Sequence, residues 1–519
     1  MGKFYITTAI DYVNGAPHIG HAYEKILTDA IARHYRSRGD DIFFLTGTDE
    51  HGTKIQKTAL EQNKTPKELT DENSSKFKAA WKDLNVSYDG FIRTTEYRHY
   101  AVVNHIFKTL KEQGDIYKAS YTGTYCNGCE KFITPKELVD GKCPNHNEPP
   151  VEIREENYFF AITKYKDRLI DHINNHPQFI LPEFRKNEIL NQLENLEDIS
   201  VSRARSSVSW GIPVPDDEEQ TIYVWIDALS NYITGIGYLQ DEETFNRYWP
   251  ANAHVIGKDI TKFHAIFWPC MLMAMNIALP ESLVVHGFIT VDESKMSKSI
   301  GNIVNPLDVT KKYDLEDHDA LRYYLLSNAH LGKDVNFTED DFVNKVDADL
   351  ANNLGNLLNR TLSMLVKYNN GIIPEKTTSN ELSLLCEETR AGVLEEFNIY
   401  QAGNACSLII KLVDNANKYI NNNEPWGKAK NPETFNECLD VLYNVLETLR
   451  WVSIMIMPFV PNIADKMMYQ LGMSKDFKTT TLNSLSWGGL EPGMIIDKNS
   501  ISPVFLRIGS QLATDKKKK

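Results

Sequence analysis

Residues 3–36 of the chain read KFYITTAIDYVNGAPHIGHAYEKILTDAIARHYR, and this stretch decides the expected fold. Phe4–Ala9 is rich in β-branched and aromatic residues, as strands are, and Gly20–Arg36 carries apolar residues at helical spacing. Ile42–Leu45 has strand character again, and further helical patterns continue to Gly114. This alternation predicts an α/β fold with a parallel sheet.

The composition is that of a large globular protein. The 519 residues are 42% hydrophobic and 24% charged, and at roughly 100–200 residues per domain this length predicts about three or four domains. The longest nearly uninterrupted apolar stretches, Ala265–Met275 and Trp451–Pro461, have 11 residues each, whereas a membrane helix needs about 18–20. The N-terminal residues carry no export signal. We therefore expect no membrane association.

Charge and cysteine content narrow the class of function. Lys and Arg number 56 against 70 Asp and Glu, a formal net charge of −14, which excludes non-specific coating of nucleic acid and requires any nucleic-acid site to be local. The seven cysteines are odd in number and include one tight cluster, which favours a reducing compartment and a metal over a disulfide framework. A cytoplasmic location is expected.

Changes of pattern divide the chain into five parts. Between 115 and 225 the α/β pattern is interrupted, and Glu152–Ile162 alternates like a strand. Strand-like runs return at Ile222–Ile226, His254–Ile256 and Leu283–Ile289, and helical spacing dominates after Thr338. The expected parts are 1–114 and 226–293 as two halves of one sheet domain, 115–225 as an insertion, 294–345 as a linker and 346–519 as a helical bundle.

The insertion contains two pairs of metal-type residues. Their spacing, C-x₂-C, 13 intervening residues and C-x₂-H, matches a closed tetrahedral site of the structural type. The alternative is a set of buried or redox-active side chains, but a Gly- and Pro-rich segment with few apolar residues needs something in place of a core. We predict one structural Zn²⁺ on Cys126, Cys129, Cys143 and His146.

The motif Pro17–His21 lies where the first strand gives way to the first helix. Backbone N–H groups and the helix dipole favour anions there, and Gly20 allows a nucleotide to approach the backbone. His18 and His21 can donate hydrogen bonds to phosphate oxygens. The pattern H-x-G-H alone is also compatible with ordinary helix capping, so its interpretation depends on a second cluster.

That second cluster is Lys295–Ser299, which reads KMSKS. It places two ammonium groups and two hydroxyls on a short loop that can close over a triphosphate. An exposed basic turn is the alternative, but the position of the loop downstream of His18–His21 in a split α/β domain favours the nucleotide site.

Together these two motifs resemble those of the class I aminoacyl-tRNA synthetases, and within that class the bacterial methionyl-tRNA synthetase family with a single zinc knuckle. Other blocks carrying the resemblance are Tyr12–Gly15, Gly47–Gly52, Tyr223–Ala228, Gly257–Asp259 and Phe263–Pro269. The resemblance implies a Rossmann-type catalytic domain split by the zinc-bearing insertion, a stem-contact-like linker and an all-α anticodon-binding domain.

The reaction implied by the resemblance is that of a methionine–tRNA ligase. L-methionine attacks ATP in the presence of Mg²⁺, pyrophosphate leaves, and the methionyl group passes to the terminal ribose of initiator or elongator tRNA(Met). Because no protein nucleophile is needed, catalysis rests on positioning and on stabilising developing charge. The implied catalytic residues are His18, His21, Lys295 and Lys298, and the implied ATP-binding residues are Gly20, Gly257, Asp259 and Ser297.

A methionine side chain is uncharged and polarizable, so aromatic walls suit it. By resemblance, Asp49 holds the substrate ammonium, and Tyr12 and His264 lie near the sulfur. Ile10 and Asp11 depart from the family pattern, in which leucine and then proline or alanine are common, and this leaves details of the pocket open. The positions matching the family's methionine pocket are Ile10, Tyr12, Asp49, Trp225, Ala228, Leu229, Tyr232, Ile260, Phe263 and His264.

In the helical third, Asn356 and Arg360 are four residues apart and share a helix face. On the residues alone they are a solvent-facing pair, and Trp426 is a half-buried anchor. The resemblance instead assigns all three to the anticodon, whose unpaired bases can stack on indole and bond to Arg and Asn. No β-barrel appendage is evident after the bundle, so a monomer is expected.

Two alternatives stay open. A cysteine- or leucine-type synthetase, or another H-x-G-H adenylyl transferase, would keep the nucleotide chemistry and change the acyl partner. A non-catalytic RNA-binding relative would keep only the fold and the zinc. The insertion, at about 110 residues, is too short for the hydrolytic editing domain of the isoleucine, valine and leucine enzymes.

Overall fold

The computed structural model describes residues 2–126, 128, 131–133, 137–145, 147–296, 302–473 and 481–509. The N-terminal part alternates strands and helices as predicted. Its elements are β1 (Lys3–Thr8), β2 (Asp11–Tyr12), α1 (Ile19–Ser37), β3 (Asp41–Asp49), α2 (Thr53–Glu61), α3 (Pro66–Asp83), β4 (Gly90–Arg93) and α4 (Tyr97–Glu112).

The next part begins with a long antiparallel pair of strands. It comprises β5 (Ile116–Cys126), β6 (Lys131–Phe132), β7 (Val151–Phe160), α5 (Lys166–Asn175), β8 (Ile180–Leu181), α6 (Phe184–Glu194), β9 (Ile199–Ser200), β10 (Ser202–Ala204), β11 (Pro213–Val214) and β12 (Asp217–Ile222). β5 pairs with β7 and β6, and β7 pairs with β9, while β10, β12 and β11 form a separate antiparallel sheet.

The main sheet then resumes, followed by the linker. The elements are α7 (Val224–Thr234), α8 (Glu242–Tyr248), β13 (Ala253–Gly257), a π-helical turn (Phe263–Phe267), α9 (Trp268–Ala274), β14 (Leu283–His286), β15 (Ile289–Val291), β16 (Ser294–Lys295), α10 (Pro306–Lys311), α11 (Asp319–Ser327) and β17 (Val335–Phe337). β15 pairs with β16 and with β17 in a small sheet of the linker.

The C-terminal part is helical throughout its longer elements. These are α12 (Glu339–Val346), a π-helical segment (Asp347–Gly355), α13 (Asn356–Asn369), α14 (Glu381–Asn398), α15 (Ala402–Asn423), α16 (Pro425–Lys428), α17 (Phe435–Ile456) and α18 (Pro461–Gln470).

Within the described residues, the main sheet has seven strands and every pairing in it is parallel. β1 lies between β3 and β13, β13 pairs with β14 and β14 with β8, while β2 and β4 pair with β3. The chain therefore moves to opposite sides of β1 in its two halves. Such a reversal opens a crevice at the carboxyl ends of the central strands, where open α/β sheets bind ligands. The predicted parallel α/β sheet and helical C-terminal region are confirmed.

Helix α1 links this crevice to the helical bundle. Its residues from Ile19 to Ile31 are largely buried, because the sheet covers one side and α11 and α15 approach the other. Arg322 of α11 is fully buried and donates to Asp29 Oδ2 of α1 at 2.6 Å. The same guanidinium donates to the carbonyls of Leu84, Pro458 and Phe459. One side chain thus joins the N-terminal sheet domain to the end of the bundle.

Three details differ from the sequence-based expectations. Val224–Ile226, expected as strand, is the first turn of α7, because Ala228, Leu229 and Tyr232 continue its buried face at helical spacing. β8 lies inside the 115–225 insertion yet pairs with β14 of the main sheet.

The expected strand Leu283–Ile289 is also interrupted. β14 ends at His286 and β15 begins at Ile289, with Gly287 between them, where a Cβ would lie 2.1 Å from the Lys333 carbonyl oxygen. Only glycine allows this close approach. The domain boundaries remain predictions.

Candidate active site

The N-terminus of α1 holds the two predicted histidines in a fixed arrangement. His18 caps the helix, since its Nδ1 accepts from the backbone N–H groups of Gly20 at 3.1 Å and His21 at 3.4 Å. His21 Nδ1 in turn accepts from the His18 N–H at 3.2 Å, and the rings stack with centroids 3.7 Å apart. Because both Nδ1 atoms accept, the ring protons reside on Nε2. Burial, with His18 and Lys25 nearby, holds the pKa of His21 well below its usual value, so its imidazole is neutral.

A cavity of about 330 Å³ opens at this helix end. His18, Gly20 and His21 line it together with Gly257, the last residue of β13, and Asp259, which lies just after that strand. A Cβ at Gly20 would lie 3.0 Å from the His18 ring. A larger residue at this position would therefore crowd the imidazole and narrow the cavity. The other lining residues are Ala9, Ile10, Asp11, Tyr12, Glu24, Ile260, His286, Gly287, Phe288, Ile289 and Met296.

A second cavity, of about 220 Å³, adjoins the first. Trp225 stacks on Phe263 with ring centroids 3.8 Å apart and planes 7° from parallel. Of the ten predicted methionine-pocket residues, all but Phe263 line this cavity, and Phe263 supports Trp225 from behind. The lining residues are Ala9, Ile10, Tyr12, Asp49, Lys54, Val224, Trp225, Ala228, Leu229, Asn231, Tyr232, Ile260 and His264.

The second cavity carries a neutral hydrogen-bonded pair. His264 Nδ1 lies 3.0 Å from the Ile260 carbonyl oxygen and must donate to it, so Nε2 accepts from the Tyr232 hydroxyl at 2.7 Å. Burial lowers the pKa of His264 to about 4, and the imidazole is therefore uncharged at neutral pH. A largely aromatic cavity with a carboxylate at Asp49 fits an apolar side chain attached to an ammonium group.

Helix α7, which carries Trp225 and Tyr232, is held in place by a buried carboxylate that sequence analysis did not single out. Asp227 contacts His51 Nδ1 at 2.7 Å and His99 Nε2 at 2.9 Å. Burial alone would raise the pKa of Asp227, but the two imidazoles outweigh it and bring the pKa to about 2. The sequence blocks Gly47–Gly52 and Tyr223–Ala228 thus meet through this carboxylate.

Other lining residues were also missed. Lys54 follows the Gly47–Gly52 block and lies at the start of α2, and Asn231 is one residue before Tyr232 on α7. Their proximity to recognisable blocks was the available signal. Glu24 and His286 gave no such signal, because their contact joins residues 262 positions apart.

Several predicted site residues fall outside the part of the chain that the structure describes. These are Ser297 and Lys298 of the KMSKS loop and Cys129 and His146 of the expected zinc site; for Lys295 only the backbone, in β16, is described. Cys126 and Cys143 are described, and both are buried in one small cluster with Ile133. Two soft sulfur ligands placed together are consistent with the donor set that Zn²⁺ requires.

The predicted anticodon residues lie on one end of the bundle. Arg360 of α13 donates to the Oδ1 atoms of Asn421 at 2.8 Å and Asn417 at 3.1 Å, both on α15. Asn356 precedes Arg360 by one helical turn, and Trp426, which is 37% exposed, follows the end of α15. The structure therefore brings an amide, a guanidinium and an accessible indole to neighbouring helices.

In the described ranges, no helix is long and apolar enough to cross a membrane.

Comparison with known proteins identifies the family. Residues 4–150 and 145–362 match the family profile described as tRNA synthetases class I (M). The methionine–tRNA ligase of Caldanaerobacter subterraneus subsp. tengcongensis is 44% identical over 99% of this chain and 81% of its own length. That of Clostridium perfringens is 47% identical over 97% of this chain and 78% of its own.

Solved structures agree with the sequence relatives. Mycobacterium tuberculosis methionyl-tRNA synthetase in complex with methionyl-adenylate superposes with a TM-score of 0.91 at 37% identity, covering 98% of this chain and 100% of that one. The apo form of the same enzyme gives a TM-score of 0.84 at 35% identity, covering 98% of each chain. Fold, site and relatives together show that the chain belongs to the methionyl-tRNA synthetases, the methionine–tRNA ligases of class I.

Proposed function

We propose that the two adjoining cavities are the halves of one active site, with L-methionine in the smaller and ATP in the larger. The observation that carries this proposal is their common wall: Ala9, Ile10, Tyr12 and Ile260 line both cavities. A methionine in one cavity and an ATP in the other would both contact these shared residues, so their reacting groups would lie close together. The proposal is specific to these cavities, whereas the overall ligase reaction follows from membership of the family.

In the activation step, Asp49 accepts hydrogen bonds from the substrate ammonium and orients the methionine carboxylate toward the nucleotide. A carboxylate oxygen forms a bond to the α-phosphorus of ATP, the bond to the bridging oxygen breaks, and pyrophosphate leaves with that electron pair. His18 and His21 donate from Nε2 to the phosphoryl oxygens as negative charge accumulates there. Gly257 and Asp259 hold the ribose, Asp259 as an acceptor for its hydroxyls.

The KMSKS loop completes the nucleotide half. Lys295 and Lys298 stabilise the charge on the leaving pyrophosphate, and Ser297 donates to a phosphate oxygen. Mg²⁺ bound with ATP would supply further neutralisation of the phosphates. In support of this role, β16 begins the loop next to β15, and Ile289 of β15 lines the nucleotide cavity.

Selectivity for methionine comes from the shape and the aromatic lining of the smaller cavity. Tyr12, Trp225 and the Tyr232–His264 pair surround the thioether with polarizable, uncharged groups. A cysteine side chain would leave part of the cavity unfilled, and a leucine side chain is branched where methionine is linear. We therefore favour methionine over the cysteine- and leucine-type alternatives.

In the transfer step, the 2′-hydroxyl of the terminal ribose of tRNA(Met) attacks the carbonyl carbon of the methionyl-adenylate and releases AMP. Asn356, Arg360 and Trp426 bind the unpaired anticodon bases, by hydrogen bonds from the first two and stacking on the third. The Asn417 and Asn421 contacts that hold the Arg360 guanidinium support this assignment. Initiator and elongator tRNAs are both expected substrates.

Zn²⁺ in the insertion is proposed to be structural. Cys126, Cys129, Cys143 and His146 would hold it, and it would tie together the loops of a segment whose local apolar cluster is small. We further propose that the protein acts as a monomer in the cytoplasm.

Methionine-dependent exchange of labelled pyrophosphate into ATP tests the proposal. Methionine should support exchange, whereas cysteine and leucine should not. Lys298→Ala should lower the rate by about a hundredfold or more, because the leaving group loses a cation, while zinc content stays unchanged. Lys312→Ala, which removes an exposed lysine from the same linker, serves as the matched control. Equal rates for Lys298→Ala and the parent would contradict the assigned role.

A further inference from the structure

Lys25 is a buried cation beneath the proposed active site. It lies in the second turn of α1, and its side chain is 1% exposed. The ammonium donates to Asp11 Oδ1 at 2.5 Å, Glu24 Oε1 at 2.9 Å and the Ala9 carbonyl oxygen at 3.1 Å. These three bonds use all three of its N–H donors.

The charge on Lys25 is secured by its neighbours. Burial lowers the pKa of the ammonium, but Asp11 and Glu24 outweigh burial and raise the pKa above its usual value. Glu24 is itself shared, because its Oε2 contacts His286 Nε2 at 3.0 Å. Lys25 is therefore a cation at neutral pH, bound to two separate parts of the chain.

Those two parts are the segment Ala9–Asp11 and the helix that begins at His18. Ala9 and Ile10 line both cavities, and Asp11 lines the nucleotide cavity. On its other side the segment is held by the sheet, where the Ala9 N–H donates to the Val255 carbonyl and Asp11 pairs with Thr48. Lys25 adds the connection to α1, which carries the proposed phosphate-binding histidines.

We propose that Lys25 is a positioning residue of the activation step: by fastening Ala9–Asp11 to α1, it fixes the methionine half of the site relative to the nucleotide half. This inference rests on the proposed function. It also gives a role to Asp11, which forms an ion pair with Lys25. A reaction between two bound ligands depends steeply on their relative placement, so the connection acts on turnover more than on the binding of either ligand.

The main test is Lys25→Met, which keeps an unbranched apolar stem as far as the ε position and removes the ammonium. The variant should fold, because burial raises the pKa of Asp11 to about 7 even against Lys25, so that without the cation Asp11 takes up a proton at neutral pH. We expect kcat for exchange to fall by about tenfold to a hundredfold, since misplacement of about 1 Å is sufficient for such a loss. The KM values for methionine and ATP should change by less than about threefold.

Arg33→Met is the matched control. Arg33 lies on the same helix and pairs with Asp29 at 2.7 Å, away from Ala9–Asp11, so its loss should lower stability without lowering kcat. Asp11→Asn is a second probe, because it keeps Lys25 and Glu24 and weakens only one bond of the connection. Its kcat should fall by about threefold to fivefold.

Hydrogen–deuterium exchange supplies a readout that does not depend on turnover. The backbone amides of residues 9–12 should exchange with deuterium about tenfold faster in Lys25→Met than in the parent. In Arg33→Met their exchange rates should equal those of the parent. If the parent protein showed no methionine-dependent pyrophosphate exchange, the proposed function would fail. The deuterium-exchange measurement would still decide whether Lys25 fastens residues 9–11 to α1. Unaltered kcat and amide exchange in a folded Lys25→Met would overturn the inference, as would equal losses in Arg33→Met. Should Lys25→Met not fold, an unchanged kcat for Asp11→Asn would overturn it.

Discussion

Replacing Arg322 with Met should destabilise the contact between the helical bundle and helix α1. The guanidinium donates to Asp29 at 2.6 Å, to the Pro458 carbonyl at 3.0 Å and to the Leu84 and Phe459 carbonyls at 3.2 Å. Removing one partner of a buried ion pair costs about 3–5 kcal/mol, and each buried carbonyl left without a donor adds about 1 kcal/mol. Arg33 still pairs with Asp29 and offsets part of the loss.

These terms add up to about 6–8 kcal/mol before the offset from Arg33, so we expect Arg322→Met to lower the free energy of unfolding by about 5 kcal/mol or more. Urea denaturation followed by tryptophan fluorescence would measure the change, and native-state hydrogen exchange at α1 and the end of α17 would locate it. Arg322→Lys keeps a charge beside Asp29 but loses the planar fork, so its loss should be about half as large. A loss below about 1 kcal/mol in Arg322→Met would refute the argument, since three buried carbonyls cannot lose their donor at so small a cost.

The same ion pair predicts a pH dependence. Burial would raise the pKa of Asp29, but Arg33 and Arg322 outweigh it and bring the pKa to about 2, below the ordinary 3.8. The resulting stabilisation, about 2 kcal/mol, is therefore fully present above about pH 5 and is lost as the pH falls toward 2. Arg322→Met raises the pKa of Asp29, so its unfolding free energy should vary less over this interval. An unaltered acid limb would contradict the assignment.

Three further outcomes are expected. Tyr232→Phe leaves His264 Nε2 buried without its donor, at a cost of about 1–3 kcal/mol, and should raise the KM for methionine by about tenfold with little change in the KM for ATP; equal effects on both would show a general loss of structure. Trp426→Ala should weaken tRNA(Met) aminoacylation by about tenfold or more, through loss of base stacking, and leave pyrophosphate exchange unchanged. Cys126→Ser should lose bound zinc, measured by atomic absorption, and lower the melting temperature, whereas Cys270→Ser should retain the metal.

The elements that sequence analysis predicted best are those encoded locally. Gly20–Arg36 was predicted as a helix and Ile19–Ser37 is one, because the apolar spacing and the capping histidine lie within the same segment. The prediction of a strand at Val224–Ile226 is wrong, because a β-branched and aromatic run of this kind fits a strand as well as a buried helix turn. The two-residue strand β8 is too short to leave a periodic signal, and only its pairing with β14 makes it a strand.

The candidate site also contains residues that local sequence patterns predict and residues that they do not. Most of its lining residues belong to recognisable sequence blocks, and the structure brings these blocks to one crevice. The residues that hold those blocks in place were not predictable, since Asp227 meets His51 across 176 positions and His286 meets Glu24 across 262. Such contacts follow from the order of the strands in the sheet, which no local pattern specifies.

The stacked histidines at the start of α1 have a thermodynamic consequence. Their rotamers are fixed by the backbone amides that they cap, so both rings become ordered when the helix forms. A triphosphate bound as proposed would then meet donors already in place and would avoid the conformational entropy of about 0.5–1.5 kcal/mol that each mobile side chain otherwise loses on binding. Nucleotide affinity in this protein should accordingly decline with fraying of the first helical turn well before the molecule as a whole denatures.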